Sequence, residues 1–231
     1  MNEFELIAKT FMGLEPVLAK ELTQLGANNV QIGRRMVSFT GDKEMMYRAN
    51  FQLHTAIRIL KPIAKLKASS ADEVYEEVKK IDWSKYIEKG KTFSVDSVVY
   101  SEEFRNSRFV TYKVKESVEA PLNEVLAAGM ILMTGWRGET DFIDPMCGSG
   151  TLLVEAALIA HNMSPGIFRK EFAFEKWPDF DAELFDTIYN DDSQEREFTH
   201  HIYGYDIDMK AVNTARLNVR AAGLSKDLSL I

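Results

Sequence analysis

The hydrophobic pattern of the first 67 residues predicts four strands and two helices. Apolar residues alternate in FELIAKT and in the pair VQI and MVSF, which flank a Gly-Arg-Arg turn. GLEPVLAKELTQLG repeats apolar residues on one helical face, and DKEMMYRANF predicts a second helix with Asp42 as its N-cap. TAIRILKPIAKL completes the pattern as an edge strand interrupted by Pro62. The order βαββαβ predicts a ferredoxin-like domain over residues 1–67.

A second pattern covers residues 68–118. SSADEVYEEVKKI predicts a helix with a capping box from Ser70 to Glu73, TFSVDSVVY predicts a strand, and NSRFVTYKVKESV predicts another helix. One strand cannot form a sheet alone. This part of the chain therefore has too few predicted strands to form a complete domain by itself.

Strands and helices alternate in residues 119–231. EAPLNEVLAAGMILMTGW predicts a helix with Pro121 in its first turn. Its predicted core face consists of Leu122, Val125, Leu126, Met130 and Met133. The strand DFID, the turn PMCGSG and the helix TLLVEAALIAHNM follow, and HIYGYD, MKAVNTARLNVRAAG and LSLI repeat the order. This alternation predicts a parallel, doubly wound α/β sheet. The acidic, aromatic connection over residues 164–200 either covers a ligand pocket as a lid or packs over the helix before it.

Charge is unevenly distributed along the 231 residues. The net charge is −7, but residues 1–118 carry 19 Lys and Arg against 16 Asp and Glu (+3), and residues 119–231 carry 9 against 19 (−10). Two modules with different partners are one interpretation, and ordinary surface charge is the other. The single cysteine, Cys147, excludes an internal disulfide and a cysteine-built zinc site. Because neither a signal peptide nor a membrane span is predicted, we expect a soluble, cytoplasmic protein.

The turn after the strand DFID is the strongest chemical signal, because open α/β sheets bind ligands at such strand–turn–helix junctions. A P-loop needs a lysine after its last glycine, but Gly150 is followed by Thr151. A dinucleotide fingerprint needs a third glycine where Leu153 stands and an acid about 20 residues further on. Asp206, the acid of the next strand, lies much further along the chain. Both phosphate-binding interpretations are therefore disfavoured.

A cofactor without phosphate, such as S-adenosylmethionine, fits the turn better. Glycines let the backbone approach the cofactor, and Asp144 is placed to accept from its ammonium group or through water. Asp206, at the end of the next strand, is placed to accept both ribose hydroxyls. The alternative is a purely structural turn in which Asp206 and Asp208 cap the following helix, and capping is the preferred interpretation of Asp208.

These segments resemble a known family. DPMCGSGTLLVEAALIA, preceded by APLNEVLAAGMI and followed by YGYDIDMKAVNTARLNVRAAG, is similar to the class I methyltransferase domain of bacterial THUMP-containing RNA methyltransferases. That family includes the enzymes that make N2-methylguanosine in 23S ribosomal RNA, and relatives are often labelled predicted N6-adenine-specific DNA methylases. FMGLEPVLAKELTQLGA and SEEFRNSRFVTYKVKES resemble its ferredoxin-like segment and the start of its THUMP domain.

The resemblance implies S-adenosylmethionine as cofactor and assigns residues to it. Asp206 would bind the ribose with Ile207 beside the adenine, and the APLNEV helix with Asn123 would close over the cofactor. A catalytic or redox role is the weaker alternative for the cysteine of the turn, since no partner base is identifiable beside it. The turn residues that would line the cofactor are Asp144, Cys147, Gly148, Gly150 and Thr151.

The chain departs from the family in two places. A strand-rich second half of the THUMP domain is expected between YKVKES and APLNEV, where Val118 leads directly into Glu119. The family's (Asn/Asp)-Pro-Pro-(Tyr/Phe) motif, which holds the target amine, would lie past Ile231. We therefore expect either part of a longer protein or a fragment gene product, and we assign no catalytic residue within it.

Clustered cations in the first half are candidates for contact with RNA phosphates. The alternative for each of them is an ordinary solvated surface charge. The candidates are Arg58, Lys61, Lys65, Arg105, Arg108 and Lys113.

The expected function is transfer of a methyl group from S-adenosylmethionine to an exocyclic nitrogen of an RNA base, with N2 of guanine in 23S ribosomal RNA as the expected target. The base would be flipped into the pocket. The alternatives are an N6-adenine DNA methyltransferase, a non-catalytic RNA-binding fragment if the chain ends at Ile231, and a nicotinamide-dependent dehydrogenase. No metal site is expected, because the pair His200-His201 lacks the spacing of a helical metal site.

Overall fold

The computed structural model describes residues 3–66, 71–86 and 122–230. These residues fall into two compact units. The larger unit contains the described residues up to 65, residues 122–175 and residues from 181 onwards. The predicted boundaries after residues 67 and 118 lie outside the described residues, as does Pro121.

The N-terminal part of the larger unit is a four-stranded antiparallel sheet. Its strand order is β2-β3-β1-β4, so that the first strand pairs with both the third and the fourth. This arrangement confirms the predicted ferredoxin-like fold. The last strand is shorter than the predicted TAIRILKPIAKL. The elements are β1 (Phe4–Lys9), α1 (Glu15–Gln24), β2 (Asn28–Gly33), β3 (Met36–Gly41), α2 (Lys43–Gln52) and β4 (Arg58–Leu60).

Alternation along the strands decides which face of this sheet is buried. Leu6 and Ala8 of β1 are fully buried, as is Val37 of β3, and Phe39 is nearly so. Their neighbours in each strand point to the opposite face. Helices α1 and α2 contact the sheet, and α2 begins at Asp42, whose carboxylate accepts a backbone N–H at 2.9 Å. The predicted N-cap is confirmed.

The smaller unit contributes one described helix and one short turn. Helix α3 spans Ala71–Lys79, and a 3-10 helix follows over Trp83–Lys85. The Trp83 indole donates to the carbonyl of Val78 at 3.0 Å. The strand and helix predicted between residues 92 and 118 lie outside the described residues.

Residues 122–230 build a parallel sheet of three strands. The order is β5-β6-β7, and both pairings are parallel. This confirms the predicted α/β arrangement, which places the carboxyl ends of the strands at one edge. The elements are α4 (Glu124–Thr134), β5 (Phe142–Asp144), α5 (Thr151–His161), 3-10 helices Pro165–Phe168 and Ala173–Lys176, α6 (Ala182–Tyr189), β6 (Ile202–Gly204), α7 (Met209–Ala221) and β7 (Leu228–Leu230).

Helix α4 only partly buries the face predicted for it: Leu122, Val125 and Leu126 are half-buried. Met130 and Met133 are 46 % and 64 % exposed, so their predicted core positions are wrong. The buried residues of the helix are three small ones, Ala127, Ala128 and Gly129, together with Ile131. A Cβ on Gly129 would lie 2.5 Å from Cδ1 of Leu14, at the start of α1. The start of α1 thus lies so close to α4 that a larger side chain at position 129 would have to displace Leu14.

Segment 164–200 packs onto α2. Phe174 stacks on Tyr47 with 4.6 Å between ring centroids and lies edge-on to Phe185 at 5.0 Å. The Tyr47 hydroxyl accepts a hydrogen bond from the backbone N–H of Asp181 at 2.9 Å. The segment is therefore a packed excursion, and it contacts the ferredoxin-like domain as well as the end of α5. We call the connected rings of Tyr47, Phe51, Phe172, Phe174, Phe185 and Tyr189 the aromatic cluster.

Gly166 gives this contact a sharp steric test. A Cβ there would lie 2.6 Å from the carbonyl oxygen and 2.9 Å from Cα of Phe51, and backbone atoms cannot rotate away. We expect Gly166→Ala to lower the free energy of unfolding in urea by about 2 to 3 kcal/mol. Ile167→Ala, a truncation at the exposed neighbouring position, should cost less than about 1 kcal/mol. Equal effects of the two substitutions would contradict this account of the packing.

Candidate functional site

The carboxyl ends of β5 and β6 are joined by backbone hydrogen bonds. Tyr205 N–H donates to the carbonyl of Asp144 at 2.9 Å, and Cys147 N–H donates to the carbonyl of Tyr205 at 2.8 Å. The turn after β5 and the segment after β6 are therefore held side by side by these two hydrogen bonds. This is the edge of the parallel sheet where ligands bind in open α/β folds.

Two glycines shape the turn. Gly148 and Gly150 have φ values of +52° and +86°, a region that side chains with a Cβ rarely adopt. Gly150 also faces α7, because a Cβ there would lie 3.1 Å from Cβ of Ala215. It precedes α5 without a side-chain cap, so N–H groups of the first helical turn are available to a ligand. The first residue of that helix, Thr151, places its hydroxyl 3.3 Å from that of Ser149.

Both carboxylate oxygens of Asp206 accept backbone hydrogen bonds, and one of these bonds comes from the turn. Oδ2 accepts from Gly148 N–H at 3.0 Å, and Oδ1 accepts from Asp208 N–H at 2.9 Å. The hydrogen bonds from the backbones of Asp208 and Gly148 lower the pKa of Asp206. The group is an ionised carboxylate at neutral pH, and each oxygen keeps a lone pair for a further donor such as a ribose hydroxyl.

Asp144 has an unsatisfied oxygen. Its side chain is buried, and Oδ1 accepts from the backbone N–H of Met146 at 3.0 Å. Oδ2 is buried and has no hydrogen-bond partner among the described residues. A buried carboxylate oxygen without a donor is costly. The site therefore fits a ligand that brings a donor, such as an ammonium group, to this end of β5.

Cys147 is a buried thiol between these two acids. Burial raises its pKa, and the charges of Asp144 and Asp206 raise it further. The thiolate, which is the nucleophile, is therefore disfavoured at neutral pH. Around Cys147, the net effect of the described residues is therefore to make a catalytic or redox thiolate less accessible.

We expect Cys147 in the folded protein to react with iodoacetamide at pH 8 at least about tenfold more slowly than in urea, and to accelerate only at more alkaline pH. Mass spectrometry of the alkylated protein between pH 7 and pH 10 measures this directly. Alkylation at pH 7 as fast in the folded as in the unfolded protein would indicate an activated thiol and contradict the assignment.

The remaining cofactor candidates differ in their placement. Ile207 is fully exposed directly after Asp206, a position from which an apolar side chain can contact a base. Asn123 is the N-cap of α4: its side-chain oxygen accepts from the N–H groups of Val125 and Leu126 at 3.1 and 3.4 Å. No contact among the described residues links Asn123 to the turn, so its role toward a cofactor stays a prediction.

One residue that holds the turn is missing from the sequence-based candidates. The Asn218 side chain of α7 donates to the carbonyl of Ser149 at 2.8 Å. It lies 69 positions further along the chain, at an exposed position of α7, and no pattern in the sequence indicates the contact.

Three of the proposed RNA-binding cations are described. Lys65 pairs with Glu5 at 2.6 Å, and Lys61 lies over the ring of Phe4 at 4.3 Å from its centroid. Arg58 lies on the edge strand β4. Arg105, Arg108 and Lys113 fall outside the described residues.

Candidate metal-binding groups and membrane-spanning helices are both absent from the described part of the chain. These residues include no group of three or more His, Cys, Asp or Glu arranged to hold a metal ion. Within the same residues, no helix is long and apolar enough to cross a membrane.

The parallel sheet and its glycine turn define a Rossmann-like domain of the methyltransferase type. The model of the UPF0020 family, described as an RMKL-like methyltransferase domain, matches residues 112–230, and the chain belongs to this family. Models of the RlmL ferredoxin-like domain and of the THUMP domain match residues 5–60 and 68–127. The predicted family is thereby confirmed.

A curated relative is longer than this chain. The ribosomal RNA large subunit methyltransferase K/L of Vibrio cholerae serotype O1 is 30 % identical over 287 aligned positions, which cover 99 % of this chain and 40 % of the relative. The chain thus spans less than half of that protein. Because 287 positions exceed the 231 residues of the chain, the relative also has residues within the matched region that this chain lacks.

Solved structures share the fold over the whole chain. SMU.472, a methyltransferase candidate crystallised with S-adenosylhomocysteine (SAH), has a TM-score of 0.85 and 28 % identity, covering 100 % of this chain and 75 % of that one. A predicted N6-adenine-specific DNA methylase from Listeria monocytogenes has a TM-score of 0.83 and 26 % identity, with the same coverage of 100 % and 75 %.

Proposed function

We propose that this protein binds S-adenosylmethionine at the turn between β5 and α5 and belongs to an enzyme that methylates RNA. The observation that carries the proposal is the pair of acids at the ends of adjacent parallel strands. Asp144 has a buried oxygen without a donor, and Asp206 is an ionised carboxylate held at the turn. The bound SAH of SMU.472 supports the choice of cofactor.

The proposed roles follow from the positions of these residues. Asp144 faces the ammonium end of the cofactor, the glycine turn lets the backbone approach it, and Asp206 accepts the two ribose hydroxyls. Exposed Ile207 contacts the adenine. The cofactor supplies an electrophilic methyl group on a sulfonium. The contribution of this chain is to bind and orient that group for in-line attack by a nitrogen of the substrate.

RNA is the proposed substrate class. The THUMP match and the name of the Vibrio cholerae relative support it. The finer proposal is N2 of a guanine in 23S ribosomal RNA, which places the protein in the cytoplasm. Methylation of adenine N6 in DNA is the second candidate, and the name of the Listeria neighbour favours it. No residue among the 231 is proposed to hold the target amine.

Transfer of a radiolabelled methyl group distinguishes the candidates. The protein as produced in its own cell is purified and incubated with labelled S-adenosylmethionine and either unmodified ribosomal RNA or duplex DNA, and the digested nucleosides are separated. We expect N2-methylguanosine from the RNA and no labelled product from the DNA. Labelled N6-methyladenine from duplex DNA alone would overturn the RNA proposal.

A further inference from the structure

The ferredoxin-like sheet presents a second face that α1 and α2 do not cover. Leu6 and Ala8 point into the helix side and are fully buried. Because strand residues alternate, Glu5, Ile7 and Lys9 of β1 point to the opposite side. The residues of this second face are mostly polar or charged, which suits contact with a polar partner.

The strand register gathers cations at one end of this face. Lys9 on β1 is directly opposite Arg58 on β4 and Met36 on β3. Arg34 and Arg35 form the turn that leads into β3, and the carbonyl of Arg35 accepts from the N–H of the residue after Lys9 at 3.1 Å. We call Lys9, Arg34, Arg35 and Arg58 the basic row. Like charges opposite each other in a sheet are destabilising, so the pairing of Lys9 depends on which carboxylates of the domain lie near it.

The carboxylates of the same domain are engaged elsewhere. Residues 3–66 contain nine Lys and Arg but only six Asp and Glu. Glu5 is paired with Lys65 at the opposite end of β1. Glu15 lies on the helix side and accepts from backbone N–H groups of Gly13 and Arg35 at 2.6 and 2.8 Å. Each of the other four also has a partner. Glu3 accepts from Asn28, and Glu21 accepts from the backbone N–H groups of His54 and Thr55. Asp42 caps α2, and Glu44 pairs with Arg48.

Lys9 and Arg34 therefore have no carboxylate partner among the described residues. The charge of Arg35 is partly offset by the nearby carboxylate of Glu15. Burial raises the pKa of Glu15, but its backbone hydrogen bonds and the charge of Arg35 lower it, and the net shift is downward. The uncompensated charge of the row is concentrated on β1 and on the exposed β2–β3 turn.

We propose that the basic row binds the phosphate backbone of the RNA substrate. Phosphate oxygens provide negative charge for Lys9 and Arg34, and the side chains of Ser38 and Gln31, which are opposite each other on the same face, offer hydrogen bonds. This inference rests on the proposed RNA function and assigns to it a surface remote in sequence from the cofactor turn. It also replaces Lys61 and Lys65, which already have partners, as the principal phosphate contacts of this domain.

Salt-dependent RNA binding tests the basic row. Fluorescence anisotropy with a ribosomal RNA fragment measures the affinity of the wild-type protein and of the double variant Lys9→Gln, Arg34→Gln at several salt concentrations. Loss of two phosphate contacts should weaken binding by about tenfold at low salt and reduce the slope of log K against log salt by about 1.5. Lys20→Gln removes one positive charge from an exposed position on α1 and should change the affinity by less than about twofold.

Titration with SAH separates this inference from the proposed function. The double variant should bind SAH as the wild type does, because the row lies outside the cofactor turn. If wild type binds RNA and the double variant binds it equally well, the basic row is wrong while the RNA function stands. A row that instead binds an acidic protein would give this result. If wild type does not bind RNA at all, both proposals are overturned.

Discussion

Replacing Asp206 by alanine is expected to lower the affinity for SAH by about 10²- to 10⁴-fold. The ribose would lose hydrogen bonds from two hydroxyls to an ionised carboxylate, each contributing about 1.5 to 3 kcal/mol. Isothermal titration calorimetry with SAH measures the change.

Asp208→Ala is the matched control for this effect. Asp208 lies two positions further on and caps α7 by accepting the N–H of Lys210 at 2.8 Å. Its loss should cost about 1 kcal/mol of stability and leave SAH affinity within about threefold of wild type. Since Asp206 also accepts from Gly148, thermal unfolding of both variants shows whether the turn persists. Unchanged SAH affinity in a folded Asp206→Ala protein would contradict the ribose assignment.

Replacing Phe174 by alanine is expected to destabilise the protein by about 3 to 5 kcal/mol. The ring is 3 % exposed and lies between Tyr47 of α2 and Phe185 of α6. Its removal leaves a cavity between segment 164–200 and the ferredoxin-like domain. Urea unfolding gives the free energy, and limited proteolysis shows whether the segment detaches first.

Phe168→Ala is the control for Phe174→Ala, since it removes the same group from the same segment. Phe168 is 47 % exposed, and its loss should cost less than about 1 kcal/mol. If the two variants unfold at the same urea concentration, the aromatic cluster does not hold the segment in place.

The elements that were predictable share a local signal. The glycine turn and the cap at Asp42 each depend on residues within a few positions of one another, and the sequence pattern predicts both. The turn residues also came together as expected, because parallel strands bring their carboxyl ends to one edge.

The errors have a common origin in contacts between distant segments. Met130 and Met133 match the helical period of a core face, but both are exposed, while the neighbouring Gly129 lies against the distant Leu14. The aromatic content of segment 164–200 indicated burial without identifying α2 as the partner. Asn218 holds a carbonyl of the turn across 69 positions, and no local pattern reveals such a contact.

The sequence also does not indicate which surface charges pair with each other. Lys65 lies in a basic stretch, yet it pairs with Glu5 from 60 positions earlier. Lys9 is the only cation in FELIAKT, and the register of β1 with β4 places it beside Arg58. A cluster of cations in three dimensions therefore differs from a cluster in the sequence.

The central claim is that the turn between β5 and α5 binds S-adenosylmethionine rather than a phosphate-bearing ligand. Calorimetric titration of the wild-type protein with SAH, NAD⁺ and ATP in parallel tests it most directly. We expect SAH to bind at one site per chain, and NAD⁺ and ATP to give no saturable heat. Saturable binding of NAD⁺ or ATP with no heat from SAH would contradict the account and reassign the turn to a phosphate-bearing ligand.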